Sequence, residues 1–272
     1  MGFIKSETRI FLAALSSYTR IPVSYPDCFT TNELNKSIRY LPLIGIFVGA
    51  VGALVFSITY LICRDAAIAV IASLIATILT TGAFHEDGLA DFADGFGGGW
   101  TKTRILEIMK DSHIGVFGTI ALILILGIKI LLLFKLALLL GGNTYIGHLE
   151  FGVLYTAAHS LSRAITVFMI RYMKYARTED SSKVKSLVSG IGQFDLAFAF
   201  FTALLPLVLL TIYFHKPWIA FTILPLSFFT YYLTWYFKKW IGGYTGDCLG
   251  ATQQLTEVLF YLVLTVLWNF TW

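Results

Sequence analysis

Charge is scarce in this sequence. Asp, Glu, Lys and Arg together make up 13% of 272 residues, against about 25% in soluble domains. So little polar surface cannot cover a water-facing globule, and a soluble enzyme or a nucleic-acid-binding module is excluded. Cysteine is nearly absent as well. Cys28, Cys63 and Cys248 are scattered with no CxxC pair, which argues against a disulfide framework and against a zinc site. Short runs of alternating polarity are missing, and with them the case for a membrane β-barrel. There is no low-complexity segment and no convincing repeat. The apolar stretch Ile10 to Leu15 is too short for a cleavable signal and no small-residue cleavage site follows it, so an unprocessed N-terminus is expected.

What is present is apolar length. Hydrophobic residues reach 57%, and several runs approach the roughly 20 residues that carry a helix through a bilayer. The expected class is an all-α, polytopic integral membrane protein with seven spans and short interfacial helices. The spans fall at about Leu41–Cys63, Ala66–Phe84, Ile114–Leu140, Phe151–Met173, Phe194–Phe214, Trp218–Phe237 and Leu255–Trp272. Lys129 and Lys135 make the third the least regular. Ile10 to Tyr18 reads as an interfacial or re-entrant helix ended by Pro22 and Pro26. The whole chain, 1–272, is expected to be one membrane-embedded catalytic domain, with an N-terminal interfacial segment (1–40) and loops at 85–113, 174–193 and 238–248 on one face.

That face collects most of the Lys and Arg, while the other keeps little beyond Arg64 and Lys216. The positive-inside rule then places the N-terminus and all three loops in the cytoplasm and the protein in the inner membrane. Trp100 and Trp240 fall near the inner interface, and Trp218, Trp268 and Trp272 near the outer one. The net charge of +4 matters here as a topology signal, not as a sign of nucleic-acid binding.

The few acidic residues are not spread evenly. His85, Glu86, Asp87, Asp91 and Asp94 lie within ten positions, directly after the second apolar run. In a helix Asp87, Asp91 and Asp94 stand at i, i+4 and i+7, on one face. Three carboxylates on one stripe repel unless a cation sits among them. Mg²⁺ suits oxygen ligands and bridges to substrate phosphates. A solvated acidic loop is the plain alternative, but carboxylates at a membrane edge are usually functional. Glu86 falls off the stripe and reads as a surface charge; His85 is open between base, ligand and interfacial cap.

Further polar residues surround the stripe in sequence. Thr101–Asp111 alternates Ile105, Leu106, Ile108 and Met109 with Lys102, Arg104, Glu107 and Lys110, as a helix lying on a membrane surface would. Its cations are headgroup contacts or phosphate clamps. Asp111 is a helix N-cap or a further metal ligand. Arg163 in the fourth span requires a substrate phosphate or an acidic partner. Asp247 follows the glycine-rich Gly242-Gly243-Tyr244-Thr245-Gly246, and Gln253, Gln254 and Glu257 carry polarity into the last span. The alternative for these is an ordinary helix start.

The pattern Gly82-x2-His85-x-Asp87-Gly88-Leu89-Ala90-Asp91-x2-Asp94-Gly95, followed by Leu106-Glu107-Ile108-Met109-Lys110-Asp111-Ser112-x-Ile114-Gly115-x-Phe117-Gly118, resembles the cobalamin synthases. These are the adenosylcobinamide-GDP ribazoletransferases of the late corrinoid pathway. Tyr18-Thr19-Arg20-Ile21-Pro22-Val23, Leu41-Pro42-Leu43-Ile44-Gly45 and the stretch from Gly242 to Ala251 with Gln253-Gln254 agree. The resemblance runs from residue 18 to about 257 and departs locally at Glu86, where an apolar residue is expected. It implies a Mg²⁺-dependent transfer. A ribose hydroxyl of α-ribazole, or of its 5′-phosphate, attacks the cobinamide-side phosphorus of adenosylcobinamide-GDP, and GMP leaves. On this resemblance Asp87, Asp91 and Asp94 are expected at metal, with Asp111 and Asp247 as further ligands or, for Asp247, a ribose contact. His85 is the expected proton acceptor, and Asp94 and Lys110 join it in the chemistry. Lys110, Arg104 and Arg163 are expected at phosphate, and Tyr244, Thr245, Gln253 and Gln254 on the substrate side. The implied partners are the two substrates and the bilayer, without nucleic acid; a homo-oligomer is compatible with this. A CDP-alcohol phosphotransferase also uses a membrane-edge Asp-Gly motif, but with an Ala-Arg pair where Ala93 here precedes Asp94. An ion-coupled transporter would suit Arg163 and broken spans, though not acidic residues gathered at one face.

Overall fold

The structure is a computed structural model that describes residues 2–23, 29–141, 145–177 and 191–269. Among the described residues eleven helices follow one another: α1 (Gly2–Tyr18), α2 (Thr31–Ser37), α3 (Leu41–Cys63), α4 (Ala66–Thr81), α5 (Phe84–Gly98), α6 (Lys102–Ile108), α7 (Val116–Leu139), α8 (Tyr145–Tyr172), α9 (Gln193–Tyr213), α10 (Ile223–Ile241) and α11 (Gly246–Asn269). Short 3-10 turns, Ile38–Tyr40 and Pro217–Thr222, precede α3 and α10. Among the described residues no strand forms; Tyr175 and Tyr244 make an isolated parallel bridge.

Six helical stretches are long and apolar enough to cross a membrane, and the α4–α5 pair passes only as a unit bent by 87°. With α4 as the short member, the spans are α3, α4 and α7 to α11, in agreement with the expected seven. Their outward faces carry Leu54, Ile62, Leu79, Ile123, Leu131, Phe201 and Phe228, all exposed, as lipid contact requires. Lipid is as apolar as leucine, so close packing holds such a bundle together. On α3, Gly45 and Gly49 meet α8 so closely that a Cβ would lie 2.3 Å from the His159 carbonyl oxygen and 2.7 Å from Thr156 Cα. Beyond them Phe56 stacks on Phe151 at 4.0 Å.

The chain breaks where its local chemistry requires it. Arg64 adopts a left-handed conformation that ends α3, and Asp65 accepts the Ile68 amide at 2.9 Å to start α4. On α1 the residues Ile10, Ala13 and Ala14 are buried against the protein. Arg39 binds Glu7 of α1 and Asp195 of α9, the latter at 2.7 Å, tying three elements at one point. The segment expected to hold only half a span is thus a docked 17-residue helix.

Three expectations are refined. The acidic stretch of the 85–113 segment is helical, as its stripe at i, i+4 and i+7 supposes: α5 occupies residues 84–98 and, with α6, leaves little of the segment as loop. The apolar stripe of α6 faces protein rather than lipid, with Ile105 and Met109 buried beside Phe237 and Ile241. The last span begins at Gly246 rather than Leu255, so Asp247 and both glutamines are helical. Pro26, Cys28, Lys183, Lys185 and Trp272 lie outside the described residues.

Candidate active site

The site begins at an elbow. Gly82 takes φ +70° and Ala83 φ +59°, both left-handed, and α5 leaves α4 at 87°. Glycine accepts this without strain, alanine only because its surroundings enforce it. Arg20 closes the outside of the bend: its amide donates to Thr80 O at 2.8 Å, and a Cβ on Gly82 would fall 2.2 Å from its Nε. From there α5 crosses the first turns of α7 and α11.

Along α5 the acidic stripe is graded. Asp87 is exposed, Asp91 half-buried and Asp94 buried. Both oxygens of Asp94 accept backbone amides at the start of α7, from Gly115 at 2.7 Å and Gly118 at 2.9 Å. An anion here complements the positive end of the helix dipole. At the other end, Gly88 lies against Asp247 and Gly250 of α11, a Cβ there meeting Gly250 Cα at 3.2 Å. The crossing thus sets Asp247, in the first turn of α11, beside the stripe. Burial, followed by the charges of Asp247, Asp87 and Asp94, pushes Asp91 up to about 7. Arg177 is the cation at this edge, 3.0 Å from Asp247 Oδ2. It is delivered by a short bridge in which the Ala176 amide donates to Tyr244 O at 2.8 Å and the Tyr244 amide to Lys174 O at 2.9 Å. Arg177 belongs to the 174–193 segment, where its sequence neighbours give no sign of this contact.

Other expected residues stand apart. Arg104 is exposed and pairs with Glu107 at 3.3 Å, and Lys110 is exposed at the end of α6. Asp111 is exposed and binds His113 Nδ1 at 2.7 Å, so the structure does not bring it into the carboxylate group. Tyr244 and Thr245 are buried. Thr245 Oγ1 accepts the Cys248 amide at 3.2 Å as the N-cap of α11, and donates to Asp247 Oδ2 at 3.2 Å. Their contacts are with protein.

Behind the edge lies a second polar group, buried among the helices. Glu257 is fully enclosed and binds Lys129 at 2.6 Å, His159 Nδ1 at 3.3 Å and the Gln253 amide at 2.6 Å. Gln254 accepts from Lys129 at 3.1 Å and donates to Glu86 at 2.9 Å and to Gln253 at 2.9 Å. Arg163 Nη1 donates to His159 O at 2.9 Å. Two cations and two carboxylates thus meet in apolar surroundings, which offsets much of their desolvation. Glu86 is buried and bonded to Gln254, which corrects its reading as a surface charge. Lys129, the irregular residue of its span, is a partner of Glu257. His85, Glu86, His159 and Arg163 also line a narrow cavity of about 170 Å³ including its mouth. Its enclosed part has room for about one water, so this space is too small for a large amphipathic substrate. The open carboxylate edge remains.

The edge suits a hard cation of one kind. Among the described residues no group of three or more His, Cys, Asp and Glu side chains is placed to hold a metal ion. Mg²⁺ does not need one, since it is commonly held by one or two carboxylates together with water and substrate phosphate. Asp87, Asp91 and Asp247, crowded against one arginine, fit that arrangement.

A family model described as cobalamin-5-phosphate synthase matches residues 10–265. The chain belongs to this family. As a cobalamin synthase homologue it is an enzyme. It is 40% identical to an adenosylcobinamide-GDP ribazoletransferase of Leptospira interrogans, over 99% of both chains. Proteins of the same name from Shewanella amazonensis (41%, 99% of both chains) and Vibrio cholerae (40%, 97% of this chain and 95% of the relative) are similarly close. No solved structure gives a significant match. Three stretches that carry the sequence resemblance to this family meet at one place: Arg20 packs on the elbow, the acidic stripe forms α5, and Gly242 to Gln254 supplies the crossing partner.

Proposed function

We propose that this cobalamin synthase homologue joins α-ribazole, or its 5′-phosphate, to adenosylcobinamide-GDP, forming adenosylcobalamin or its phosphate and releasing GMP. The observation that carries this reading is the carboxylate edge, Asp87 and Asp91 of α5 beside Asp247 of α11, in a chain whose curated relatives are ribazoletransferases. Held there by one or two of those carboxylates together with water and substrate phosphate, Mg²⁺ would neutralise diphosphate oxygens and polarise the phosphorus.

The protein's part is alignment and charge neutralisation, the usual demands of phosphoryl transfer. Arg177, anchored to Asp247, is set to meet a phosphate oxygen at the rim, and Arg104 and Lys110, exposed on and just after α6, add positive charge to the surface. His85, whose Nε2 has no protein hydrogen-bond partner, lines the space behind the carboxylates and is the proposed acceptor of the ribose proton. Asp94 acts by fixing α7 rather than by meeting substrate. The edge faces the cytoplasm of an inner membrane on this reading, as the Lys and Arg distribution favours.

The test is direct. Purified full-length protein in liposomes, given adenosylcobinamide-GDP, α-ribazole and Mg²⁺, is expected to release GMP and form the joined corrinoid. Release of CMP from CDP-diacylglycerol and an alcohol, with no GMP from the corrinoid substrate, overturns the proposal.

A further inference from the structure

Gln254 is 2% exposed, and its side-chain contacts are with protein. Its oxygen accepts from Lys129 at 3.1 Å, and its amide donates to Glu86 Oε1 at 2.9 Å and to Gln253 at 2.9 Å. Lys129 is itself fixed by Glu257 at 2.6 Å. Gln254 is therefore held rigidly on the α11 side, and Glu86 is the one residue of α5 that it grips. Glu86 directly precedes Asp87, and consecutive side chains on a helix diverge by about 100°. Holding Glu86 inward against α11 thus keeps Asp87, and Asp91 one turn later, directed to the open edge. Gly88 against Gly250 lets the two helices approach and Asp94 fixes the far end of α5, while the bond from Gln254 to Glu86 acts at the near end, directly beside Asp87.

We infer that Gln254 is a positioning residue for the acidic motif, acting through Glu86 to set the direction of the carboxylates that receive the divalent ion. This rests on the reading that Asp87 and Asp91 hold that ion. It differs from a substrate contact in that Gln254 commits its polar atoms to Lys129, Glu86 and Gln253.

The experiment measures Mn²⁺ binding by electron paramagnetic resonance on the purified full-length protein, beside turnover, KM for the corrinoid substrate and Tm. In Gln254→Glu the new carboxylate still meets Lys129 but repels Glu86. Mn²⁺ binding is expected to weaken by about tenfold or more, as on loss of residues that orient metal ligands. Turnover falls with it and KM moves less. In Glu86→Gln/Gln254→Glu the charges are exchanged and the bond is remade, so binding and turnover are expected to return to within a few-fold of the native protein. Gln254→Met, neutral and of similar length, is expected to lose affinity and serves where Gln254→Glu does not fold. Native Mn²⁺ affinity in the folded Gln254→Met protein with a lowered Tm, or a double variant no better than Gln254→Glu, overturns the inference. Asp87→Asn and Asp91→Asn separate the two layers: if they bind Mn²⁺ normally, it is the ligand assignment that fails.

Discussion

Asp94 accepts the backbone N–H of Gly115 at 2.7 Å, so the last carboxylate of the acidic motif serves as the anchor of the next transmembrane helix. Its second oxygen takes Gly118. Asp94→Ala removes two charge-assisted bonds from a buried position and is expected to cost about 1.5–3 kcal/mol. Gly118→Ala should be comparably harmful, since its Cβ would lie 2.4 Å from Asp94 Oδ2. Thermal unfolding in detergent measures both. An unchanged Tm in Asp94→Ala would show the contact to be dispensable.

Asp87→Asn and Asp91→Asn behave in the opposite way. Each relieves like-charge crowding, so Tm in chelator is expected to stay level or rise. Turnover with Mg²⁺ falls by at least about 10²-fold, as on loss of an electrostatic transition-state contact, and the Mg²⁺-induced rise in Tm disappears. Full turnover in either variant would remove that carboxylate from the mechanism.

The stripe at i, i+4 and i+7 was legible in sequence because all its members share one helix. The elbow was not: Ala83 carries no signal for a left-handed backbone, so the second span was expected to run on to Phe84. Glu86 and Lys129 were misread for another reason. Glu86 meets Gln254 across 168 positions, and Lys129 meets Gln254 across 125. A charged residue whose partner is that distant looks like a surface charge or an irregularity until the helices are assembled. The expected spans were sound because apolar length is a local property, whereas α6 pointed inward through contacts made by α5 and α10.

Asp91 gives the metal-free protein a pH dependence. Its folded pKa, about 7, lies above the ordinary 3.8, so folding favours the protonated form. The associated stability is complete below the ordinary value and is lost as pH rises through about 7. In chelator, Tm is expected to fall between pH 5 and pH 8, and less so in Asp91→Asn. Identical slopes for the two proteins would contradict the crowding.

Lys129→Met leaves Glu257 charged in an apolar interior, and Glu257→Gln does the same to Lys129. Each is expected to cost about 3–5 kcal/mol, and the double variant less than their sum. Unfolding of all three variants by denaturant checks this; strict additivity would mean that the two residues do not act as a pair.

Orientation can be read with a thiol reagent. Cys63 is exposed at the end of α3 away from the acidic edge, and Cys248 is buried. In Cys28→Ser protein, a membrane-impermeant maleimide is expected to label Cys63 in right-side-out vesicles. Labelling only after inversion would reverse the assigned topology.

The elbow at Gly82 and Ala83 joins the carboxylate edge to a membrane span. Because Arg20 fills the outside of the bend, α4 and α5 form a stiff L, and α5, about 22 Å long at 1.5 Å per residue, is its lever arm. A span of 16 residues is shorter than an average hydrocarbon core and meets mismatch by tilting or by thinning the bilayer. A tilt of about 5° would shift the far end of the arm by roughly 2 Å, against a partner held by Asp94. Acyl-chain length should therefore tune turnover in this enzyme, making the bilayer a mechanical component of the active site.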